Sequence, residues 1–264
     1  MEFPMRLHTR GPVEGPCNLC GEFARLTEDH IPPKGVPRVG QARLVELDDF
    51  VRGQKASSSS RLFKNGVQYR SICATCNNAR LGARYDPELI AFTRQLDEQL
   101  PKFRYLPMTL TLRPDRLVRS VLGHLLAHTV DMPEEGEVFV DLKAYFMDEA
   151  ARLPAGYQLW CWPYPFNDQL VIQAMGRMTG LGREFLTMSL IKFYPVGFIL
   201  LKGEWTASRP ALTRLDHLLT GDLDAQATLT LPRSGLAPRG FPESPDDDGA
   251  VMLNTQMARG AFRI

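Results

Sequence analysis

The chain has 264 residues, 44% of them hydrophobic and 23% charged, with 20 prolines. That is enough apolar material for a real core and argues against wholesale disorder, while the proline content favours many short elements. The longest clean apolar run, Val196–Leu201, is far short of the roughly 20 residues a bilayer span needs, and Met1–Gly15 lacks an apolar signal core, so no membrane partner is expected and a cytoplasmic location is.

The formal net charge of +1 is unevenly distributed. Residues 1–104 carry 16 Lys and Arg against 12 Asp and Glu, and residues 105–264 carry 15 against 18. The positive half also holds two Cys-x2-Cys pairs, Cys17/Cys20 and Cys73/Cys76. In a reducing compartment, paired cysteines at this spacing suit one tetrahedral Zn²⁺ better than disulfides, since each pair sets two thiolates on one tight turn. Cys161, between Trp160 and Trp162, is expected to be a buried thiol.

In chain order, Phe23–His30 reads as a strand ended by Pro32-Pro33, and Lys34–Gly66 as a long basic insertion with a flexible Ser57–Ser60 centre. Val67–Ile72 reads as a second strand. A short helix is expected after Asn77, broken near Gly82. A firmer one starts with Asp86 as N-cap and Pro87 in the first turn, and carries Leu89, Ile90, Leu96 and Leu100 at helical spacing. Further on, Arg116–Val130 and Asp141–Leu153 read as helices, and Tyr157–Trp162, Leu170–Met175, Phe185–Phe193 and Val196–Lys202 as strands. His124 and His128 lie four apart without the Glu of a zinc-protease motif, so they read as structural or surface residues. The Trp160–Phe166 aromatic run reads as core ahead of a base-stacking surface, and Pro232–Asp248 as an irregular arm.

The order Cys17-x2-Cys20, Asp29-His30-Ile31-Pro32-Pro33, Cys73-x2-Cys76-Asn77 resembles the HNH endonucleases that carry a four-cysteine zinc site, including the recombination endonuclease VII type. The likeness covers roughly residues 17–90. It implies a ββα-metal, treble-clef-like module hydrolysing phosphodiester bonds in DNA. In that scheme His30 is the general base, Asp29 and Asn77 hold a catalytic Mg²⁺ or Mn²⁺, and the cysteines hold structural Zn²⁺. Asp29 and His30 are neighbours on a strand, where successive side chains face opposite ways, so sharing one site requires the chain to bend there. Lys34, Arg38, Arg70, Arg80 and Arg84 are the candidate phosphate contacts.

The expected architecture is therefore α+β: a zinc-knuckle nuclease module over residues 1–104 and a mixed α/β domain of unknown role over 105–264. The alternative is a non-catalytic zinc-stabilised module that binds nucleic acid or protein. Sequence leaves open DNA against RNA and monomer against homodimer.

Overall fold

The structure is a computed structural model that describes residues 9–46, 62–102, 106–128, 130, 137–179, 184–203, 212–233, 235–243, 251–253 and 259–263. Arg52, Lys55, Arg61 and the serine run of the basic insertion lie outside the described residues. No helix among those described is long and apolar enough to cross a membrane.

The cysteine-bearing region is built on a three-stranded antiparallel sheet. β1 (Glu14–Pro16) pairs with β2 (Phe23–Ile31), which pairs with β5 (Val67–Cys73). A register shift between Thr27 and Glu28 is followed by regular pairing: Glu28 with Arg70, Asp29 with Tyr69, His30 with Gln68 and Ile31 with Val67. Asp29, Ile31, Val67 and Tyr69 are buried, whereas Glu28, His30, Gln68 and Arg70 are half-buried on the other face.

After β5 the chain winds into α1 (Thr75–Tyr85), a π-helix running directly into α2 (Asp86–Gln99). The break expected at Gly82 is absent. Its buried residues Cys76, Leu81 and Tyr85 are spaced five and four apart, which suits i→i+5 winding, and the Asp86 N–H reaches Leu81 O. Tyr85, rather than Asp86, takes the N-cap position of α2, and Asp86 turns its side chain into the core.

The larger sheet contains both halves of the sequence. β7 (Tyr157–Pro163), β10 (Val196–Lys202), β9 (Glu184–Phe193) and β8 (Gln169–Thr179) lie side by side and antiparallel, flanked at one end by β11 (Thr213–Arg214). At the other end the C-terminal strand β14 (Arg259–Arg263) pairs with both β8 and β3 (Ala42–Glu46), and β3 pairs with β4 (Leu62–Phe63). β13 (Val251–Leu253) also pairs with β8. Parts of the basic insertion are thus strands of the large sheet. A third pairing joins β6 (Met108–Leu112) to β12 (Ala227–Leu231).

Both faces of the large sheet are covered, which is why its strands read as continuously apolar. Phe198 and Leu200 join the main core, with Phe198 packed on Phe92 of α2 at a ring separation of 6.0 Å. Ile199 and Leu201 face a second core with Trp162, Tyr164 and Phe241. Trp162 and Tyr164 are therefore core residues. Over its described part, the expected C-terminal arm is a docked segment: Lys192 Nζ donates to the carbonyls of Arg239 and Phe241 and to Glu243 Oε1.

α3 (Pro114–Ala127) is buried along nearly its whole length between the two sheets, and α4 (Glu137–Met147) packs on it. The α3 C-terminus, whose last carbonyls have no partner within the helix, is closed by the zinc-knuckle region: Asn18 Nδ2 donates to Leu126 O and Ser71 Oγ to Ala127 O. One hydrophobic cluster runs from Cys17 through Leu125 to Leu231, across the division expected at residue 104.

Candidate metal centre and hairpin site

Two turns bring the four cysteines together. Cys17-Asn-Leu-Cys20 closes through Gly21, whose N–H donates to Cys17 O at 2.8 Å with φ at +77°, a conformation glycine adopts without steric cost. Cys73 ends β5 and Cys76 lies in the first turn of α1. The four Sγ atoms lie within 4.8 Å of one another, and Cys20 Sγ is 3.9 Å from Cys73 Sγ. Tetrahedral Zn–S bonds of about 2.3 Å place sulfurs about 3.8 Å apart, so the cluster fits a structural Zn²⁺.

Without a metal the thiols differ in acidity. A hydrogen bond from Cys76, joined by backbone N–H groups including that of Cys73, draws the Cys17 thiol down to about 4. Burial pushes Cys20 up to about 11, and the bond to Cys17 pushes Cys76 up as well. Four thiolates this close repel one another, and a divalent cation is what lets all four ionise.

The structure does not bring Asp29 and His30 to one face. Regular pairing continues through Ile31, and the chain leaves the strand only at Pro32. His30 is half-buried on the outer face, where Gln68 Nε2 donates to its Nε2 at 2.6 Å. Burial, then the charge of Lys34, holds its pKa below the ordinary imidazole value.

Asp29 points inward and meets a histidine that carries no metal-site or catalytic motif in the sequence. His124 of α3, fully buried, directs Nδ1 to Asp29 Oδ2 at 2.9 Å and Nε2 to Asp86 Oδ1 at 3.0 Å, and Ser120 Oγ donates to the same Asp86 oxygen at 2.7 Å. Burial alone would lower the His124 pKa, but the two carboxylates raise it to about 10. The ring is a buried imidazolium with both N–H groups donating. One signal for it was present in the sequence: His124 sits within the apolar stretch Val121–Ala127, and a histidine buried there must find polar partners in the core. His128 is also buried, its Nδ1 on Leu125 O and its ring edge-on to Tyr69.

Asn77 lies at the start of α1, where its Nδ2 donates to Thr27 Oγ1 at 3.0 Å and to Glu28 O at 3.2 Å. It thereby fastens the helix to β2 and leaves Oδ1 as its remaining ligand atom. Mg²⁺ keeps several waters and strict octahedral geometry. The Asp29 carboxylate, 5% exposed and facing an imidazolium, does not fit such an ion.

The basic candidates divide. Arg70 donates through Nε and Nη2 to Gly11 O, Arg80 through Nη1 to Met147 O, and Arg84 pairs with Glu149. Lys34 is exposed and has no partner among the described residues, and Arg38 stacks on Tyr194.

No family model, curated protein or solved structure matches the chain. Fold and site together define an α+β protein with a four-cysteine metal-binding module in its N-terminal region.

Proposed function

We propose that this chain is a zinc-stabilised nucleic-acid-binding module that does not hydrolyse its ligand. The observation carrying this reading is the placement of Asp29 and His30 on opposite faces of one hairpin, with Asp29 engaged by His124 in the core. Nucleic acid is favoured as the ligand class because the positive charge is concentrated before residue 105, and Lys34 and Arg38 stand at the exit of the His30 strand. The test is fluorescence anisotropy of the full chain with labelled duplex DNA, single-stranded DNA and RNA at two salt concentrations. Salt-weakened binding is expected, with supercoiled plasmid left uncut in Mg²⁺ or Mn²⁺. Absence of binding to all three at low salt would overturn the reading.

A second reading is an HNH-type endonuclease, with His30 as general base and Mg²⁺ or Mn²⁺ on Asp29 and Asn77. One observation favours it: the lowered pKa of His30 keeps its imidazole neutral at pH 7, the state a base needs. It requires Asp29 to exchange His124 for a cation. Plasmid cleavage that depends on divalent metal and disappears in His30→Ala would install it over the first reading.

A further inference from the structure

The loop that carries the chain away from His30 is braced along its length. Pro33 O accepts the Val36 N–H, closing a turn. Gly35 sits so close to α2 that a Cβ there would lie 2.5 Å from the Ile90 side chain, and Arg94 Nη2 donates to Gly35 O at 3.3 Å. At Arg38 the backbone takes φ +56°, the one positive φ found at a non-glycine among the described residues. A long L side chain is strained in that conformation.

What the strained residue does is specific. Its guanidinium lies 3.8 Å over the ring of Tyr194, in the turn between β9 and β10. Asp97 of α2 holds both partners: Tyr194 Oη donates to Asp97 Oδ1, and Arg38 Nη2 stands 3.6 Å from the same oxygen. At that separation Arg38 forms an ion pair without a hydrogen bond. Among the described residues none of its N–H groups is used, although 49% of the side chain is exposed. Lys34, four residues earlier on the same loop, is exposed, and its charge acts on His30. The adjoining cleft is lined by Arg38 and Tyr194 together with Pro32, Gly40, Asn167, Asp168 and Gln169; the Asp168 carboxylate accepts from Tyr164 Oη and Arg239 Nε, and Gln169 Nε2 donates to Ile31 O.

We propose that Arg38, oriented by Tyr194 and Asp97, is a phosphate-binding subsite on the loop that follows His30, with Lys34 four residues earlier on that loop as a second cation, and that it takes a backbone phosphate of nucleic acid. The proposal rests on the nucleic-acid reading above and deepens it. A guanidinium fork matches two phosphate oxygens, and stacking on a fixed ring orients the fork before the ligand arrives. Asp97 neutralises one charge of the Arg38–Lys34 pair and leaves the other. Strain retained where glycine fits better is accounted for if the side chain serves a ligand. The subsite also joins the two halves of the sequence, because the ring that sets the arginine belongs to the half with negative net charge.

The test uses the full chain and a labelled oligonucleotide, with inorganic phosphate as a second probe. Arg38→Gly should weaken oligonucleotide binding roughly tenfold and lower the salt slope by about one ion. Its Tm should hold or rise, since glycine accepts φ +56° freely. Arg38→Lys keeps the charge but not the fork and should also bind more weakly. Tyr194→Leu should reproduce the loss, and Tyr194→Phe, which retains the ring face, should restore binding. Wild-type affinity and salt slope in Arg38→Gly would overturn the proposal, as would a fall in its Tm that accounts for the lost binding. If the wild type binds no oligonucleotide, the nucleic-acid reading fails. A phosphate-induced rise in Tm in wild type but not in Arg38→Gly would then keep the subsite as one for free phosphate, and no such rise would overturn both.

Discussion

His124 lies 95 residues beyond Asp29 in the chain, yet its Nδ1 holds the Asp29 carboxylate at 2.9 Å in the protein core. The contact fastens the inner face of the β2–β5 hairpin to α3, and through Nε2 and Asp86 to the start of α2. It also determines the orientation of Asp29, the residue that a hydrolytic reading needs in solvent.

His124→Ala should destabilise the protein by about 3–5 kcal/mol, because it leaves two carboxylates without their shared cation in a dry interior. The pH dependence has a definite sign. A folded-state pKa raised from about 6.5 to about 10 contributes stability that is fully present below pH 6.5. That contribution declines as pH rises and is gone above about 10. Urea unfolding at pH 6, 8 and 9.5 should show falling stability in wild type and a flatter profile in His124→Ala. Identical profiles would mean that His124 does not carry the charge.

Freshly purified reduced protein should contain a single Zn²⁺ per chain. Cys73→Ser should lose it and unfold at lower temperature, because ligation energy contributes directly to folding. Elemental analysis together with thermal denaturation in the presence of a chelator measures both. Zinc-free protein with an unchanged melting profile would refute the assignment of Cys17, Cys20, Cys73 and Cys76.

Gly197 of β10 lies directly across from Trp162 of β7, and a Cβ at that position would fall 2.3 Å from the indole. Gly197→Ala should cost about 1–3 kcal/mol by overpacking and should shift the tryptophan emission as Trp162 is displaced. A stable variant with native emission would show that the indole can move away without cost.

A fragment ending at residue 104 should not unfold cooperatively. It lacks His124 against Asp29, the α3 carbonyls that bind Asn18 and Ser71, and the β14 strand that pairs with β3. Circular dichroism of the fragment with zinc present should show no sharp thermal transition. A cooperative transition would establish the N-terminal region as an independent unit.

Much of the fold was legible because its signals are local. The two Cys-x2-Cys turns, the alternation in Val67–Ile72, the Asp-Pro start of α2 and the apolar runs of β7 to β10 each lie within a few residues, and the observed elements fall close to them. The misreadings have local causes too. Gly82 reads as a break, yet Leu81 and Tyr85 on either side are fully buried, and their packing carries the helix past it. Ala42–Glu46 and Arg259–Arg263 carry little strand signal and become strands by pairing with each other across most of the chain's length.

The candidate site divides along the same line. By itself the sequence determined the four-cysteine cluster, the adjacency of Asp29 and His30, and the rule that neighbours on a straight strand face opposite ways. Only the tertiary structure decided that the strand stays straight through Ile31, that His124 occupies Asp29, and that Tyr194 sets Arg38. Those outcomes depend on which distant surfaces pack together. A carboxylate in the core must find a cation, wherever in the chain that cation lies, and nothing local to Asp29 in the sequence specifies which residue will supply it.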